Sequence, residues 1–240
     1  MKTEILYEDG DILVCYKPAG LATQTRQIGQ MDVESELRNY LAGAPLYLIH
    51  RLDQPVEGIL AFAKTKTAAA SLGRQLGSEE MNKSYLAVVF GRLPQKGTLK
   101  DYMRKEPKGN VSRIVSEKEK DAKYAELSYE VLAEKSLAEI GCVCSPALPQ
   151  EVLSLVRIRL KTGRHHQIRV QLANAGHPLL GDSKYAAPQV MQLSGQLGIR
   201  SVALCAHALR FVHPVSKENR ELKITPKGLS FQIFRDILNE

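Results

Sequence analysis

The chain alternates short runs of period two, typical of half-buried strands, with a few stretches of helical period. The first pattern predicts strands over residues 4–7, 12–16, 59–64, 83–90, 122–132, 152–161, 201–211 and 220–224. The second predicts helices over residues 32–41, 67–76, 164–176 and 229–238. Because strands outnumber helices and many adjoin along the chain, we predict an α+β fold with a mixed, mainly antiparallel sheet and flanking helices. No internal repeat or low-complexity linker divides residues 1–240, so we predict a single domain.

The predicted helix over residues 164–176 follows a Thr-Gly turn and ends at Gly176. Its pattern turns Ile168, Leu172 and Ala175 toward the core. Arg164 would then lie in the first turn, where the helix dipole already favours anions. The pattern therefore indicates an anion-preferring helix start.

Charge is concentrated in residues 98–123, which we call the basic arm. It is dense in Lys, Arg, Glu and Asp and is interrupted by Pro107 and Gly109, so it is predicted to form exposed hairpins or a mobile connection. A second segment, Gly141–Pro149, is punctuated by Gly and two Pro and is predicted to be a loop insertion. Both segments are candidates for selecting a target, and this is a hypothesis.

The composition is typical of a globular protein with a positive net charge. It has 33 Lys and Arg against 26 Asp and Glu, a net charge of +7, which favours a polyanionic partner without proving one. No run approaches the length of a membrane span, and the N-terminal residues lack the apolar core of a signal peptide, so we expect a cytoplasmic protein. Its four cysteines are scattered and would stay reduced there.

One stretch carries the most chemistry: His50-Arg51-Leu52-Asp53, which lies between an apolar lead-in and a turn with Pro55 and Gly58. An apolar run resumes after the turn, so Asp53 is predicted to lie on a loop held between two core elements. The spacing alone equally fits an ordinary surface ion cluster, which is the commoner case.

The sequence lacks the motifs of other common catalytic and metal sites. Six histidines invite a metal hypothesis, but His165 and His166 are adjacent, and no His-x-x-x-His or carboxylate cluster supports them. The chain has no Gly-x-Ser-x-Gly elbow and no Gly-rich phosphate loop. We therefore predict no metal site, and a hydrolase that uses the histidines remains a distant alternative.

Five motifs taken together resemble the RluA-type pseudouridine synthases. They occur in the order of that family and span most of the chain: Lys17-Pro18-Ala19-Gly20, His50-Arg51-Leu52-Asp53, Lys83-x-Tyr85, Gly163-Arg164-His165-His166-Gln167-Ile168-Arg169-Val170 and Gly181-Asp182-x-Lys184-Tyr185. Each motif alone is weak, but the ordered set is specific. The resemblance implies a cofactor-free isomerase that converts uridine in tRNA or rRNA to pseudouridine.

The resemblance also implies roles for three residues. Asp53 matches the catalytic aspartate of the family. Tyr85 matches the active-site tyrosine, which is expected to stack on the uracil and to lie near where a proton leaves. Arg164 matches the arginine expected to pair with the catalytic carboxylate and keep it ionised.

RNA contacts are implied as well. Arg51 matches a residue expected to fill the space left by a flipped-out nucleotide. The full set of predicted RNA-binding residues is His50, Arg51, Lys83, His166, Gln167, Arg169 and Lys184. The small N-terminal RNA-binding domain of many relatives is expected to be absent, and the protein is expected to be a monomer.

The chain departs from the family pattern at a few positions. Pro55-Val56-Glu57 stands where Thr and a small residue commonly precede Gly58, and His165 stands where Thr is frequent. A second acid that faced Asp53 would raise the pKa of the Asp53 carboxyl, so Glu57 is expected to point away. The main rival function is a catalytically silent RNA-binding or RNA-folding protein on the same fold.

Overall fold

The structure is a computed structural model, which describes residues 1–25, 29–78, 80–142 and 152–239. In chain order its strands are β1 (Glu4–Glu8), β2 (Ile12–Lys17), β3 (Tyr47–Leu48), β4 (Glu57–Ala63), β5 (Asn82–Phe90), β6 (Lys96–Lys105), β7 (Ser112–Val115), β8 (Lys123–Ser136), β9 (Val152–Leu160), β10 (Leu204–Val212) and β11 (Asn219–Lys223). Its helices are α1 (Val33–Tyr40), α2 (Lys66–Leu76), α3 (Gln167–Asn174), α4 (Pro188–Gln196), α5 (Leu229–Gln232) and α6 (Arg235–Leu238).

The chain divides into two compact units. The first contains Met1–Ser84 and Cys205–Pro226, and the second contains Tyr85–Leu204 and Lys227–Glu240. The single domain over residues 1–240 stays a prediction.

In the first unit, β4 is the central strand. It pairs antiparallel with β2 and β3 and parallel with β10, while β1 extends the sheet beyond β2 and β11 extends it beyond β10. Gly58 permits the parallel pairing, because a Cβ at that position would lie 2.5 Å from the backbone nitrogen of Ala206. Apolar side chains of β2, β4 and α2 form the core here, among them Ile12, Ile59 and Leu72.

In the second unit, β8 is flanked by β9 and β6 in antiparallel register, and β7 completes a hairpin with β6. This hairpin occupies most of the basic arm, as the charge pattern predicted. Two arginines near the turn of the hairpin, Arg104 and Arg113, bind both Glu106 and Glu119 at 2.7–3.2 Å. The four charges thereby join the turn after β7 to the hairpin.

The predicted fold class is confirmed. Antiparallel pairings prevail among the described strands, with helices beside them, and the β1–β2 hairpin forms as the pattern indicated. Helix α1 begins after Asp32, whose carboxylate accepts the backbone N–H of Ser35, and α2 ends at Gly77. These elements follow from local signals alone.

Four details of the predicted elements are wrong. The helix over residues 164–176 begins only at Gln167, and Ala175 is exposed rather than directed inward. The C-terminal helix is interrupted between Gln232 and Arg235, giving α5 and α6. The sequence reading missed α4, although Pro188 in its first turn and the buried Val190 and Leu193 are helix signals. Residues 143–149 of the predicted Gly141–Pro149 loop lie outside the described residues.

Candidate active site and RNA-binding surface

Asp53 lies on the loop between β3 and β4 and is half-buried. Its carbonyl accepts the N–H of Val56 at 3.0 Å, which closes a turn at Asp53. Just before it, the Thr23 hydroxyl donates to the Leu52 carbonyl at 2.8 Å, and the Leu52 N–H donates back to that hydroxyl at 3.2 Å. The main chain on both sides of Asp53 is therefore fixed by hydrogen bonds.

Lys17, the last residue of β2, binds the loop that carries Asp53. Its side chain is fully buried, and its ammonium donates to the carbonyls of Pro18 at 3.1 Å, Leu21 at 2.7 Å and Gln54 at 3.0 Å. An ammonium has three N–H donors, so each carbonyl takes one. Burial lowers the pKa of Lys17 to about 7, against the opposing effect of the Asp53 and Glu57 carboxylates. We call this arrangement the Lys17 clamp.

The Lys17 clamp was not predicted as a functional feature. Lys17-Pro18-Ala19-Gly20 was predicted to end the second strand and resembles a family motif, but neither observation gave a role to the Lys17 side chain. A Lys directly before a Pro-containing turn gave the available signal, but the Gln54 carbonyl that it binds lies 37 residues away.

Arg51 is exposed, and its guanidinium is held by one amide. Its Nε and Nη2 atoms donate to Oε1 of Gln24 at 3.0 and 2.5 Å. A planar, exposed guanidinium held at its edge is suited to stacking against a base.

His50, by contrast, is buried. The Ala61 N–H donates to its Nε2 at 3.3 Å, so the proton lies on Nδ1, which has no hydrogen-bond partner in the described part of the chain. Burial, with a smaller effect of Lys83, lowers the pKa of His50 to about 3. Burial also lowers the pKa of Lys83. His50 is thus a neutral ring under the Asp53 loop, and its predicted contact with RNA stays a prediction.

Tyr85 and Arg164 belong to the second unit. Tyr85 is buried, with 6% of its surface exposed, on β5. Arg164 is exposed, and its Nε donates to the Tyr124 carbonyl at 2.8 Å. It lies before α3, which begins only at Gln167, and the Gln167 side chain accepts the Arg164 N–H at 2.9 Å. The roles that the resemblance implies for both residues stay predictions.

His166 precedes α3 in the left-handed conformation, with φ of 56°. Its Nδ1 lies 2.6 Å from the Tyr185 hydroxyl, which also accepts the Ser112 N–H at 2.9 Å. The His166 ring is neutral, because burial lowers its pKa to about 3. This network was missed in the sequence, although Tyr185 lies in a family motif.

His165 stacks on His166 with ring centroids 3.8 Å apart. Its Nε2 lies 3.0 Å from Oδ1 of Asn110, which only accepts, so Nε2 carries the proton. Its Nδ1 then accepts from the Ser112 hydroxyl at 2.8 Å. Both rings are therefore used to join the tip of the basic arm to the segment before α3.

Gln167 and Arg169 are both buried with internal partners. Gln167 donates to the Glu126 carbonyl at 3.0 Å. Arg169 binds both carboxylate oxygens of Asp182 at 2.8 and 2.7 Å, and its guanidinium lies 5.1 Å from the centre of the Tyr185 ring. These contacts position α3, and the predicted RNA contacts of the two residues stay predictions.

The surface around His165 is cationic. Lys184 is exposed and donates to the carbonyls of Gly109 and Asn110 at 3.1 and 2.7 Å. Burial, together with the nearby charges of Lys105 and Lys184, lowers the pKa of His165 to about 4, and burial with Arg169 lowers that of His166 to about 3. This surface, which we call the His165 face, is suited to an anion.

No helix among the described residues is long and apolar enough to cross a membrane. Within the same residues, no three His, Cys, Asp or Glu side chains come together as metal ligands would.

Comparison with known proteins gives consistent results. The family model described as RNA pseudouridylate synthase matches residues 11–174. An uncharacterized RNA pseudouridine synthase, YhcT, of Bacillus subtilis is 34% identical over 221 residues, covering 90% of this chain and 66% of the relative. The tRNA pseudouridine synthase C of Pasteurella multocida is 32% identical over 222 residues, covering 91% of this chain and 89% of the relative.

A solved structure supports the fold. Human RNA Pseudouridylate Synthase Domain Containing 1 superposes with a TM-score of 0.74 at 23% identity, covering 93% of this chain and 83% of the human one. At this identity the likeness concerns the fold.

Proposed function

The chain belongs to the RNA pseudouridylate synthase family, whose members are isomerases, and we propose that it converts specific uridines of structured RNA to pseudouridine with Asp53 as the catalytic carboxylate. The observation that carries this proposal is the Lys17 clamp, which fixes the main chain around one half-buried carboxylate. A carboxylate held in this way acts without first being ordered, so the entropy of positioning is already lost on folding.

The proposed reaction is an isomerisation that balances without water or a cofactor. The bond between uracil N1 and the ribose C1′ breaks, the base rotates, and its C5 bonds to the same C1′. The proton on C5 is lost and N1 gains one. Asp53 acts either as a nucleophile on C1′ or as a base toward a ribose proton, and both roles need its ionised form.

Tyr85 and Arg164 support Asp53 in this proposal, as the resemblance implies. The Tyr85 ring stacks on the uracil and lies near the C5 proton. Arg164 keeps the carboxylate ionised, which a guanidinium does through paired, charge-assisted hydrogen bonds. We also propose that the target nucleotide is flipped out and that Arg51 stacks in the space it leaves, which recovers part of an unstacking cost of about a few kcal/mol.

The RNA is a tRNA or an rRNA. The Pasteurella relative is named for tRNA, which favours that substrate class for this chain. We propose that the His165 face binds the phosphate backbone, because Lys105 and Lys184 lie beside neutral rings and Lys108 is exposed nearby. The cytoplasmic location and the monomeric state stay predictions from the sequence.

The decisive experiment maps pseudouridine in total RNA from cells with the wild-type gene, a deletion, or Asp53→Asn. A site that is lost in both mutants identifies the substrate and assigns Asp53. Asp11→Asn is the matched control, since it removes a carboxylate of the same unit that accepts the Thr65 hydroxyl at 3.3 Å.

The result also separates the rival function. If Asp53→Asn retained every pseudouridine that the deletion loses, Asp53 would not be the catalytic carboxylate. If the deletion lost no site and purified protein left candidate transcripts unmodified while binding them, the silent RNA-binding function would replace the isomerase.

A further inference from the structure

The Gln24 side chain connects Arg51 to helix α1. Its Oε1 accepts Nε and Nη2 of Arg51 at 3.0 and 2.5 Å, and its Nε2 donates to Oε2 of Glu34. A guanidinium only donates and a carboxylate only accepts, so the two contacts together allow the amide a single orientation. The position of the Arg51 guanidinium is therefore tied to the position of a side chain on α1.

Glu34 is itself held on α1. Its Oε1 accepts Nε and Nη2 of Arg38 at 3.0 and 2.6 Å, and Nη2 of Arg38 also donates to the Leu46 carbonyl at 3.0 Å. Glu34 and Arg38 are four residues apart, the spacing at which side chains of one helix meet. A surface pair of this kind contributes little to stability, so its main consequence is to fix where the Glu34 carboxylate lies.

The main chain beside Gln24 is docked on the same helix. The Val33 N–H donates to the Ala22 carbonyl at 3.0 Å, and the Glu34 N–H donates to the Thr23 carbonyl at 3.2 Å. These N–H groups belong to the first turn of α1, where a helix offers them no partner of its own. Ala22, Thr23 and Gln24, which we call the Gln24 brace, are thus bound to α1 through main chain and side chain alike.

The Gln24 brace contacts the two consecutive residues that precede Asp53. Thr23 exchanges hydrogen bonds with the main chain of Leu52 at 2.8 and 3.2 Å, while Gln24 binds the side chain of Arg51. Fixing the main chain alone would leave the long Arg51 side chain its rotamer freedom, which the contact with Gln24 restricts. That contact uses only Nε and Nη2, so it does not occupy Nη1 or either face of the guanidinium plane.

We propose that Gln24 is a positioning residue for Arg51, because it holds the guanidinium in the orientation in which the plane stacks in the space left by the target nucleotide. This inference rests on the stacking role proposed for Arg51. A side chain that is ordered before binding loses less conformational entropy when the RNA binds, and for one long side chain the difference corresponds to about a three- to tenfold change in affinity. Gln24 thus acts on RNA binding through Arg51.

The test is a double-mutant cycle of Gln24→Ala and Arg51→Ala, with RNA binding measured by fluorescence anisotropy. The probe is a labelled RNA hairpin that carries the uridine found by pseudouridine mapping, or labelled unfractionated tRNA if mapping finds no site. Gln24→Ala alone should raise Kd about three- to tenfold. In the Arg51→Ala protein the same substitution should have no further effect, whereas a merely structural role would lower affinity equally in both backgrounds.

The Gln24 side chain is exposed, so its removal should not prevent folding. Gln30→Ala is the matched control, because Gln30 is another exposed amide between β2 and α1, and its Oε1 accepts the Thr25 hydroxyl at 3.4 Å. This variant should leave Kd unchanged.

A second measurement does not use RNA. The ¹⁵N relaxation of the Arg51 Nε–H group, assigned with Arg51→Ala, reports its motion on the ps–ns timescale, and Gln24→Ala should lower its order parameter. Both readouts stand even if Asp53→Asn proves active, so failure of the proposed catalytic role is distinguishable from failure of this inference. An unchanged order parameter, an unchanged or lower Kd for Gln24→Ala, or an equal loss of affinity in the Arg51→Ala protein overturns the role of Gln24.

Discussion

Lys17 holds the loop around Asp53 with one buried charge, whereas His165 and His166 hold the tip of the basic arm with two neutral rings. Folding lowers the pKa of all three groups, mainly through burial, to about 7 for Lys17 and to about 4 and 3 for the histidines. At neutral pH the histidines are in the state their hydrogen bonds require, while Lys17 is near its transition. Because folding lowers all three pKa values, each group lowers the free energy of unfolding as pH falls, between about 10.5 and 7 for Lys17 and between about 6.5 and 3 to 4 for the histidines.

The two regions also differ in how charge is balanced. Lys17 donates only to main-chain carbonyls, but Arg169 beside the arm is paired with Asp182, and both side chains are almost fully buried. A buried ion pair is weak evidence for stability while it is intact, yet it is costly to break. Removing one partner of the Arg169–Asp182 pair is therefore the change for which we expect the largest loss of stability.

Asp182→Ala should destabilise the protein by about 3–5 kcal/mol, because it leaves the Arg169 charge buried and unpaired. Denaturant unfolding measures the change. Asp236→Ala is the control in the same unit, since its pair with Lys135 is exposed on the Asp236 side and should contribute little to stability. Equal losses for the two variants would remove the distinction between a buried pair and a surface pair.

Lowering the pH should lower the free energy of unfolding, in part through the histidines that contact the tip of the arm. Between pH 6.5 and about 4 the unfolded chain binds a proton at residue 165 that the folded His165 does not, so the free energy of unfolding falls as pH falls through this window. His166 extends the loss to about pH 3, and buried His50 adds to it.

His165→Asn should make that fall less steep, by at most one bound proton, about 1.4 kcal/mol per pH unit. Denaturant unfolding at a series of pH values measures the slope, and above pH 7 the slopes of variant and wild type should coincide. A variant as acid-sensitive as the wild type would mean that His165 already titrates normally in the folded protein.

The smallest effect concerns RNA. Lys105→Gln and Lys108→Gln should each weaken binding of the RNA substrate about threefold at moderate salt and reduce the salt slope by about 0.7, the value for one phosphate contact on a single strand. Fluorescence anisotropy across a salt series measures both quantities. Lys96→Gln is the matched control, because Lys96 is already paired with Glu130 at 3.0 Å. If a variant with both substitutions had the same salt slope as the wild type, the RNA backbone would not contact Lys105 or Lys108.

Much of the fold was predictable from local signals. The β1–β2 hairpin, the cap at Asp32 and the end of α2 at Gly77 depend on residues within one turn of each other. The start of α3 was mispredicted because His166 adopts the left-handed conformation, with φ of 56°, which a right-handed helix does not allow at that position. The family motifs indicated Asp53, Tyr85 and Arg164, but not what holds each of them.

The sequence by itself determined the strand-rich α+β class, the basic balance and the set of residues with chemical potential. Only the tertiary structure decided that Lys17 binds the Gln54 carbonyl of the Asp53 loop, that the Tyr16 hydroxyl binds Glu57, and that Tyr185 joins the arm to α3. The physical reason is separation along the chain: these hydrogen bonds join residues 37, 41 and 73 positions apart. Periodicity and capping describe neighbours in sequence, whereas these contacts exist only once the sheet has brought distant strands and turns together.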